Sequence, residues 1–524
     1  MTTLRQNVKT TRSLFVLILI LVPLLANCNK AVTESSPINA DSPSAVLPTI
    51  SEGGFENIRN MGEKVKSGNG YRQDEEGIIV VHLRGDEAEM EAQYRSLLSE
   101  EISDFRSAAS NHRMLNQFIG GCSNIAVFGP ASLDGSLWHG RNFDFSGYGV
   151  LDRYRIIYIV EPEGKIPYVT ISWSGPLPWN YQAVHTAMNA KGLTLGYMIS
   201  QAPGESIMDT LTLWTLFRTV IENASTIEEA VAILEAGPRK GAANLLLADG
   251  KKPEAVVVEI TSRAVIVRQS ENGVIYSTNH FVSDELFNPE NKDPDSLGRL
   301  EKLGELTARD FGSFDLPLTI SVLRDRYDMN AERMALGGDI IATPANMISV
   351  VFHPADLTFW VANGSAPAAY RSFVGFSLQG ELDGNQAQTS LLSVPVDASL
   401  DADAWAEVEA YQSGIRAYDQ GDDAMAVEFL SKAVALDPNS ARYRYGLAGA
   451  LINLGRYDEA ITNLESALTN DPYSAYRAYI YFRLGLIYER MGNTENKCAA
   501  FEKVLEVDVG DEEIERYARQ ALGQ

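Results

Sequence analysis

Cys122 is a candidate nucleophile, because the residues near it in the sequence have the types that nucleophilic catalysis needs. Cys122 follows Gly120 and Gly121 and precedes the apolar run 125–128, and the sequence Gly-Arg-Asn-Phe-Asp begins at Gly140. A buried core cysteine is the ordinary alternative for an isolated Cys. Catalysis would need a proton acceptor for the thiol, a cation that favours the thiolate, and a carboxylate near the base.

The base need not be a histidine. If the chain is cut before Cys122, the freed α-amine has an unperturbed pKa of about 7.7–8.0, which suits a base near neutral pH. Because Gly121 leaves the backbone free to bend at the cut, Gly121 and Cys122 are the predicted autocleavage residues. A Cys–His pair of the papain type is the alternative, although its local sequence signature is absent.

Several other chemistries lack their sequence patterns. There is no GxSxG, HExxH, CxxC or phosphate-loop pattern, and the six histidines show no metal-ligand spacing. We therefore expect no metal and no cofactor. The formal net charge of −25 argues against a nucleic-acid partner.

The stretch "CSNIAVFGPASLDGSLWHGRNFDF" resembles the start of the mature catalytic chain in cysteine N-terminal-nucleophile (Ntn) hydrolases. This group includes the choloylglycine hydrolases, acid ceramidase, N-acylethanolamine acid amidase and the isopenicillin-N acyltransferases. Later stretches such as "AMNAKGLTLGYMI" and "VIYSTNHF" are similar to the family in the same order, over about residues 75–378. The resemblance implies an α+β fold, a four-layer αββα sandwich that cuts itself before its nucleophile.

The resemblance also implies roles for individual residues. Cys122 would be the nucleophile, Asp144 would hold its α-amine, and Arg141 would lie beside the thiol and the substrate. Asn279 would donate its side-chain amide to the oxyanion, and Arg299 would steady Asn279 or the end of the substrate.

The sequence leaves the second oxyanion donor and the final acyl acceptor open. The choloylglycine branch has another Asn where this chain reads Tyr-Met-Ile-Ser at 197–200, so Ser200 or a backbone N–H would serve here. The predicted reaction is hydrolysis of a linear N-acyl amide, a small molecule, through an acyl-enzyme. The alternatives are an acyltransferase that passes the acyl group to an amine, and a non-catalytic protein whose repeats hold a partner.

The C-terminal part repeats with a period of 34 residues. Gly421 and Gly455 are 34 residues apart, as are Asp437 and Asp471. The segments resemble tetratricopeptide repeats, which are helix pairs that stack into a surface for a protein or peptide partner. We expect three repeats, forming an all-α domain.

The N-terminus is typical of an exported protein. A basic start and an apolar run from Leu14 to Ala26 precede Cys28, which resembles the lipidated cysteine of a bacterial lipoprotein. An ordinary secretory signal or an uncleaved anchor is the alternative. We expect a bacterial cell-envelope protein held to the membrane by lipid, on the periplasmic face of the outer membrane if the source is Gram-negative.

The predicted divisions are a signal peptide at 1–28, a tether at 29–74, a pro-segment or light chain at 75–121, the catalytic domain at 122–388, a linker at 389–403 and the repeats at 404–524.

Overall fold

The computed structural model describes residues 60–110 and 121–524, except 146, 154, 203, 288–292, 385–390, 473, 475 and 508–511. The predicted signal peptide, Cys28 and the tether as far as residue 59 lie outside the described residues. Among the described helices, none has the length and apolar character needed to cross a membrane.

The larger of the two main sheets has ten strands within the described residues. Its central strands are mostly apolar and are buried along nearly their whole length, as expected for strands that are covered on both faces. The strands pair antiparallel except for one parallel pair, β3 with β6. Their order across the sheet is β1 (Val65–Ser67), β2 (Gly70–Arg72), β3 (Ile79–Gly85), β6 (Arg155–Pro162), β7 (Tyr168–Trp173), β8 (Thr186–Asn189), β9 (Leu193–Ile199), β10 (Ala243–Asp249), β11 (Glu254–Ile260) and β12 (Val265–Gln269).

The second sheet carries the residues that follow the predicted cut. The turn at 129–136 joins its first two chain segments into a hairpin, in which Ser123 pairs with Asn142. Cys122 therefore lies at the end of the sheet where the second hairpin strand finishes. The order is β13 (Val274–Ser277), β4 (Ser123–Val127), β5 (Trp138–Asp144), β16 (Asn346–His353), β17 (Thr358–Asn363), β18 (Ser372–Ser377) and β19 (Leu391–Val394), with β14 (Tyr327–Asp328) and β15 (Arg333–Met334) forming a separate small ribbon.

Helices cover the outer faces of both sheets. Asp86 begins the first helix with a capping box, in which its carboxylate accepts from the Glu89 N–H. The helices of this part are α1 (Glu87–Leu97), α2 (Ser99–Ser110), α3 (Ile207–Thr210), α4 (Leu213–Asn223), α5 (Ile227–Ala236), α6 (Pro294–Arg309), α7 (Leu316–Leu323) and α8 (Leu378–Asp383). Helix α5 packs on the larger sheet, and α6 and α7 pack on the smaller one. The arrangement is the predicted αββα sandwich, and the predicted α+β fold class is confirmed.

In the described part of the chain, seven helices follow the sandwich and form the repeats. They are α9 (Ala402–Gln420), α10 (Asp423–Leu436), α11 (Ala441–Asn453), α12 (Tyr457–Asn470), α13 (Arg477–Arg490), α14 (Thr494–Val507) and α15 (Glu512–Leu522). Gly421 ends α9 and Gly455 follows α11, both with a left-handed backbone (φ 82° and 72°) that favours glycine. The 34-residue spacing of these glycines therefore reflects one tight turn inside each helix pair.

The structure corrects two predicted boundaries. The tether was predicted to run to residue 74, but β1 and β2 lie within it and extend the larger sheet. The linker was predicted at 389–403, but β19 lies within it and pairs with β18. These strands are short and lie at or next to a sheet edge, held by backbone hydrogen bonds that leave little pattern in the side chains.

The repeats also pack directly against the sandwich. The hydroxyl of Ser440 donates to the carbonyl of Gly337 at 2.9 Å. Arg333 of β15 forms an ion pair with Asp437 at 2.9 Å. The repeats are therefore docked on the catalytic domain over a contact that includes buried side chains.

Candidate active site

Cys122 is buried at the start of the β4–β5 hairpin. Only 2% of its surface is exposed, and Sγ lies 3.9 Å from the carbonyl oxygen of Asp144. Burial raises the pKa of the thiol to about 11, while the charge of Arg141 acts in the opposite direction. The thiol is therefore protonated at neutral pH and needs a base in order to attack a carbonyl.

Asp144 ends β5 with its carboxylate fully buried. Its Oδ1 accepts a hydrogen bond from Asn346 Nδ2 at 2.7 Å. No described residue completes a hydrogen bond to Oδ2, although the side chain of Thr343 lies close enough to favour the ionised carboxylate. Burial raises the pKa of Asp144 to about 7, against the lowering effects of the Asn346 hydrogen bond and of the Arg299 charge. A cation placed at Oδ2 would favour the ionised carboxylate, so the site is suited to an ammonium group.

Arg141 lies on the face of β5 that looks toward the larger sheet. Its Nη1 donates to the carbonyl of Tyr197 on β9, whereas Nε and Nη2 have no partner among the described residues. Arg141 pairs with Asn124 on the neighbouring strand, so these two side chains lie on the same face of the sheet. Cys122 comes two positions before Asn124, and because alternate residues of a strand share a face, Cys122 lies on that face as well. Burial lowers the pKa of Arg141 to about 10, so the group keeps its charge at neutral pH.

Arg299 of α6 links the cysteine to Asn279. Its Nη2 donates to Asn279 Oδ1 at 3.0 Å, and its Nη1 donates to the carbonyl of Cys122 at 2.5 Å. Because Asn279 Oδ1 accepts from Arg299, Nδ2 is left as the donor, and it contacts the carbonyl of Ile199 at 2.8 Å. One further N–H of Asn279 remains for an oxyanion. The structure therefore brings together all five side chains predicted for the site.

Gly121 packs against an ion pair beside the predicted cut. Asp295 accepts from Arg299 at 2.7 Å, and a Cβ on Gly121 would lie 2.9 Å from Asp295 Oδ2 and 3.1 Å from Arg299 Nη2. No larger residue fits there without displacing the ion pair. Sequence reasoning missed Asp295, although an acidic residue four positions before an arginine on one helix is a spacing that predicts an ion pair. It also missed Asn346, for which the sequence has no local signal.

Two other sequence candidates have a defined place. Ser200, the suggested second oxyanion donor, is buried next to Ile199, and its hydroxyl has no partner among the described residues. None of the described histidines hydrogen-bonds Cys122, and His112 lies outside the described residues. Burial lowers the pKa of His139 to about 3, so that imidazole is a poor base. Over the same described ranges, no three His, Cys, Asp or Glu side chains are grouped to hold a metal ion.

The fold is an αββα sandwich, and the buried side chains predicted for the site lie together at one end of its smaller sheet. Residues 132–366 match the family "Acyl-coenzyme A:6-aminopenicillanic acid acyl-transferase". Residues 417–479 and 478–508 each match tetratricopeptide repeats. These matches confirm the resemblance inferred from the sequence, an Ntn acyltransferase-type domain followed by tetratricopeptide repeats. They support an enzyme that transfers acyl groups or hydrolyses amides.

Proteins of two other organisms match parts of the chain. One is "Small glutamine-rich tetratricopeptide repeat-containing protein 2" of Saccharomyces cerevisiae, 31% identical over 136 residues, or 26% of this chain and 37% of that protein. Another is "DnaJ homolog subfamily C member 7" of Mus musculus, 31% identical over 109 residues, or 21% of this chain and 22% of that protein. The chain thus spans well under half of either relative. A solved N-acylethanolamine-hydrolyzing acid amidase ortholog of Caenorhabditis elegans aligns at 21% identity and a TM-score of 0.33, over 45% of this chain and 93% of that one.

Proposed function

We propose that this protein is a self-processing cysteine amidohydrolase that cleaves a linear N-acyl amide through an acyl-enzyme on Cys122. The observation that carries the proposal is the buried group of Cys122, Arg141, Asp144, Asn279 and Arg299. Within it, Asp144 Oδ2 and two N–H groups of Arg141 have no hydrogen-bond partner among the residues that the structure describes. Unpaired buried polar atoms are costly, and a reacting group bound between them would satisfy them.

The first step of the proposed mechanism creates the base. The Cys122 thiol adds to the carbonyl of Gly121, and the C–N bond breaks to give a thioester and a free α-amine on Cys122. Water then hydrolyses the thioester, which leaves a carboxylate on Gly121 and restores the thiol. Asp144 Oδ2 holds that amine, which takes the thiol proton. The α-amine thereby solves the problem posed by the raised pKa of the buried thiol.

Acyl transfer then proceeds in two halves. The thiolate of Cys122 attacks the amide carbonyl, and Asn279 Nδ2 donates to the oxyanion, with Ser200 or a backbone N–H as the second donor. The C–N bond breaks and the leaving amine takes the proton from the α-ammonium. Water, deprotonated by the α-amine, next attacks the thioester, which releases the carboxylic acid and restores the thiol.

An acyltransferase is the second candidate, because the matching family is named for transfer to an amine. The two reactions share the acyl-enzyme and differ only in the acceptor. A non-catalytic, repeat-based binding protein is a weaker alternative, since such a protein has no use for the buried catalytic group. The repeats themselves support a protein or peptide partner in addition to catalysis.

A substrate panel tests the proposal. The purified full-length protein is incubated with N-acyl amides, bile-salt conjugates, ceramides and penicillins, with and without an added primary amine. We expect free amine and free carboxylic acid from at least one class. A new amide formed from the added amine would identify a transferase. A cleaved wild-type chain that turns over none of these classes would contradict the proposal.

We also propose that Cys28 carries the lipid that holds the protein at the cell envelope. The support is sequence alone: a basic start, one short apolar run and a cysteine directly after it. Mass spectrometry of the mature protein should find an N-terminal Cys28 with diacylglycerol attached. An unmodified N-terminus at any other residue contradicts this proposal and favours an ordinary secretory signal.

A further inference from the structure

Asn346 has a fixed orientation beside the active-site carboxylate. Its Oδ1 accepts from the backbone N–H of Ala369 at 2.8 Å, so its Nδ2 is the atom that donates to Asp144 at 2.7 Å. The pairing of β16 with β5 shifts register between Asn346 and Ile348, which is a β-bulge. Bulges re-aim side chains, and this one turns the amide toward Asp144.

The turn that holds Asn346 lies between the sandwich and the first repeat helix. The carbonyl of Ala369 accepts from Arg324 at 2.9 Å, and the hydroxyl of Tyr370 donates to the carbonyl of Ala342 at 3.0 Å. The ring of Tyr370 packs edge-on against Trp405 of α9, with centroids 6.4 Å apart. Ala369, Tyr370 and Val408 belong to one buried apolar cluster.

The same repeat helix also contacts the loop that follows Asp144. Tyr148 packs edge-on against Tyr411, with centroids 6.2 Å apart. A Cβ on Gly149 would lie 3.3 Å from the side chain of Arg416. Helix α9 therefore contacts two segments next to the active-site carboxylate, the turn that holds Asn346 and the loop that follows Asp144.

We infer that Asn346 is a positioning residue for Asp144, and that helix α9 of the repeats keeps it in place through the turn at Ala369 and Tyr370. This inference rests on the proposed function, in which Asp144 holds the α-amine of Cys122. The repeats then serve catalysis as well as partner binding, and the two halves of the chain form one working unit.

The expected signature is a change in pH dependence. A hydrogen bond to an ionised carboxylate lowers its pKa, so loss of the Asn346 N–H raises the pKa of Asp144. Asp144 is then protonated at a higher pH and no longer holds the ammonium. As the pH is lowered, activity is therefore lost at a higher pH than in the wild type. The charged and titratable groups that also face Asp144 are Arg141 on β5, Cys122 before β4, and Asp295 and Arg299 on α6.

The test compares pH profiles of kcat/KM for cleaved full-length protein, normalised to titratable Cys122 thiol. The acidic limb is the part of the profile where kcat/KM falls as the pH is lowered. In Asn346→Ala, this fall should occur about one pH unit higher than in the wild type. Asn346→Asp, which keeps the shape, should move it further because two adjacent carboxylates cannot both ionise. Trp405→Ala should move the limb in the same direction by a smaller amount.

Matched controls separate positioning from general damage. Asn142 is equally buried, and its amide donates to the carbonyls of Leu323 and Ile341 rather than to Asp144. Asn142→Ala should lower the melting temperature without moving the limb, and so should Phe501→Ala in the third repeat. An active wild-type enzyme whose limb does not move in either Asn346 variant overturns the inference. An inactive, uncut wild-type chain contradicts the proposed function instead.

Discussion

Cys122→Ala should remain a single uncut chain without amide turnover. The thiol of Cys122 is the group that attacks the carbonyl of Gly121 in the cut and the substrate carbonyl in catalysis, so both reactions lose their nucleophile. Wild-type protein should give two chains, one ending at Gly121 and one beginning at Cys122. Intact mass and Edman sequencing of the active protein measure the cut, and the substrate panel measures turnover.

Cys122→Ser is the matched control, because it keeps the size and hydrogen bonding of the side chain. A hydroxyl is a weaker nucleophile than a thiol, so this variant should be cut slowly or not at all. Active wild-type protein that is uncut before Cys122 would contradict the mechanism, since a blocked α-amine cannot act as the base. A Cys–His pair would then be the better explanation.

The central strands of the sandwich could be predicted because burial leaves a pattern in the sequence. The runs 155–162 and 168–173 are mostly apolar, and they form β6 and β7, which are buried on both faces. The segment that begins at Glu87 has apolar residues at helical spacing, and it forms two helices, α1 and α2, divided at Leu98. This spacing and the capping by Asp86 are local signals that the sequence carries.

The candidate site was predictable where its residues share one short motif. Cys122, Arg141 and Asp144 lie on a single hairpin, so their spacing in sequence fixes their spacing in space. Asn279 and Arg299 come from other elements, and only the family resemblance linked them to the hairpin before the contact between them was seen.

The remaining features depend on contacts between distant parts of the chain. Asn346 donates to Asp144 although the two residues are 202 positions apart in the sequence. The β-bulge that orients Asn346 has no recognisable pattern in the sequence around it. Likewise, the contact faces of α9 carry the aromatic and small residues that any repeat helix uses for its own packing. Residue type alone therefore cannot say that Trp405 and Tyr411 pack against the catalytic domain.

Asn279→Ala should lower kcat by about 10²–10³, the usual cost of losing one oxyanion donor. Arg299 fixes the Asn279 amide so that its N–H groups point away from the guanidinium, and one of them is held by Ile199. The other is available to the oxyanion, where charge develops only as the thiolate attacks. The loss should therefore fall on kcat, with a smaller change in KM.

Asn279→Asp is the control that preserves the Arg299 contact. Its carboxylate still accepts from Arg299 Nη2 but donates nothing to an oxyanion, so its kcat should fall at least as far as that of the alanine variant. Both kcat and KM are measured on chains already cut before Cys122, which separates catalysis from processing. If both variants keep the wild-type kcat, the oxyanion is bound elsewhere, and Ser200 with its buried hydroxyl becomes the residue to substitute next.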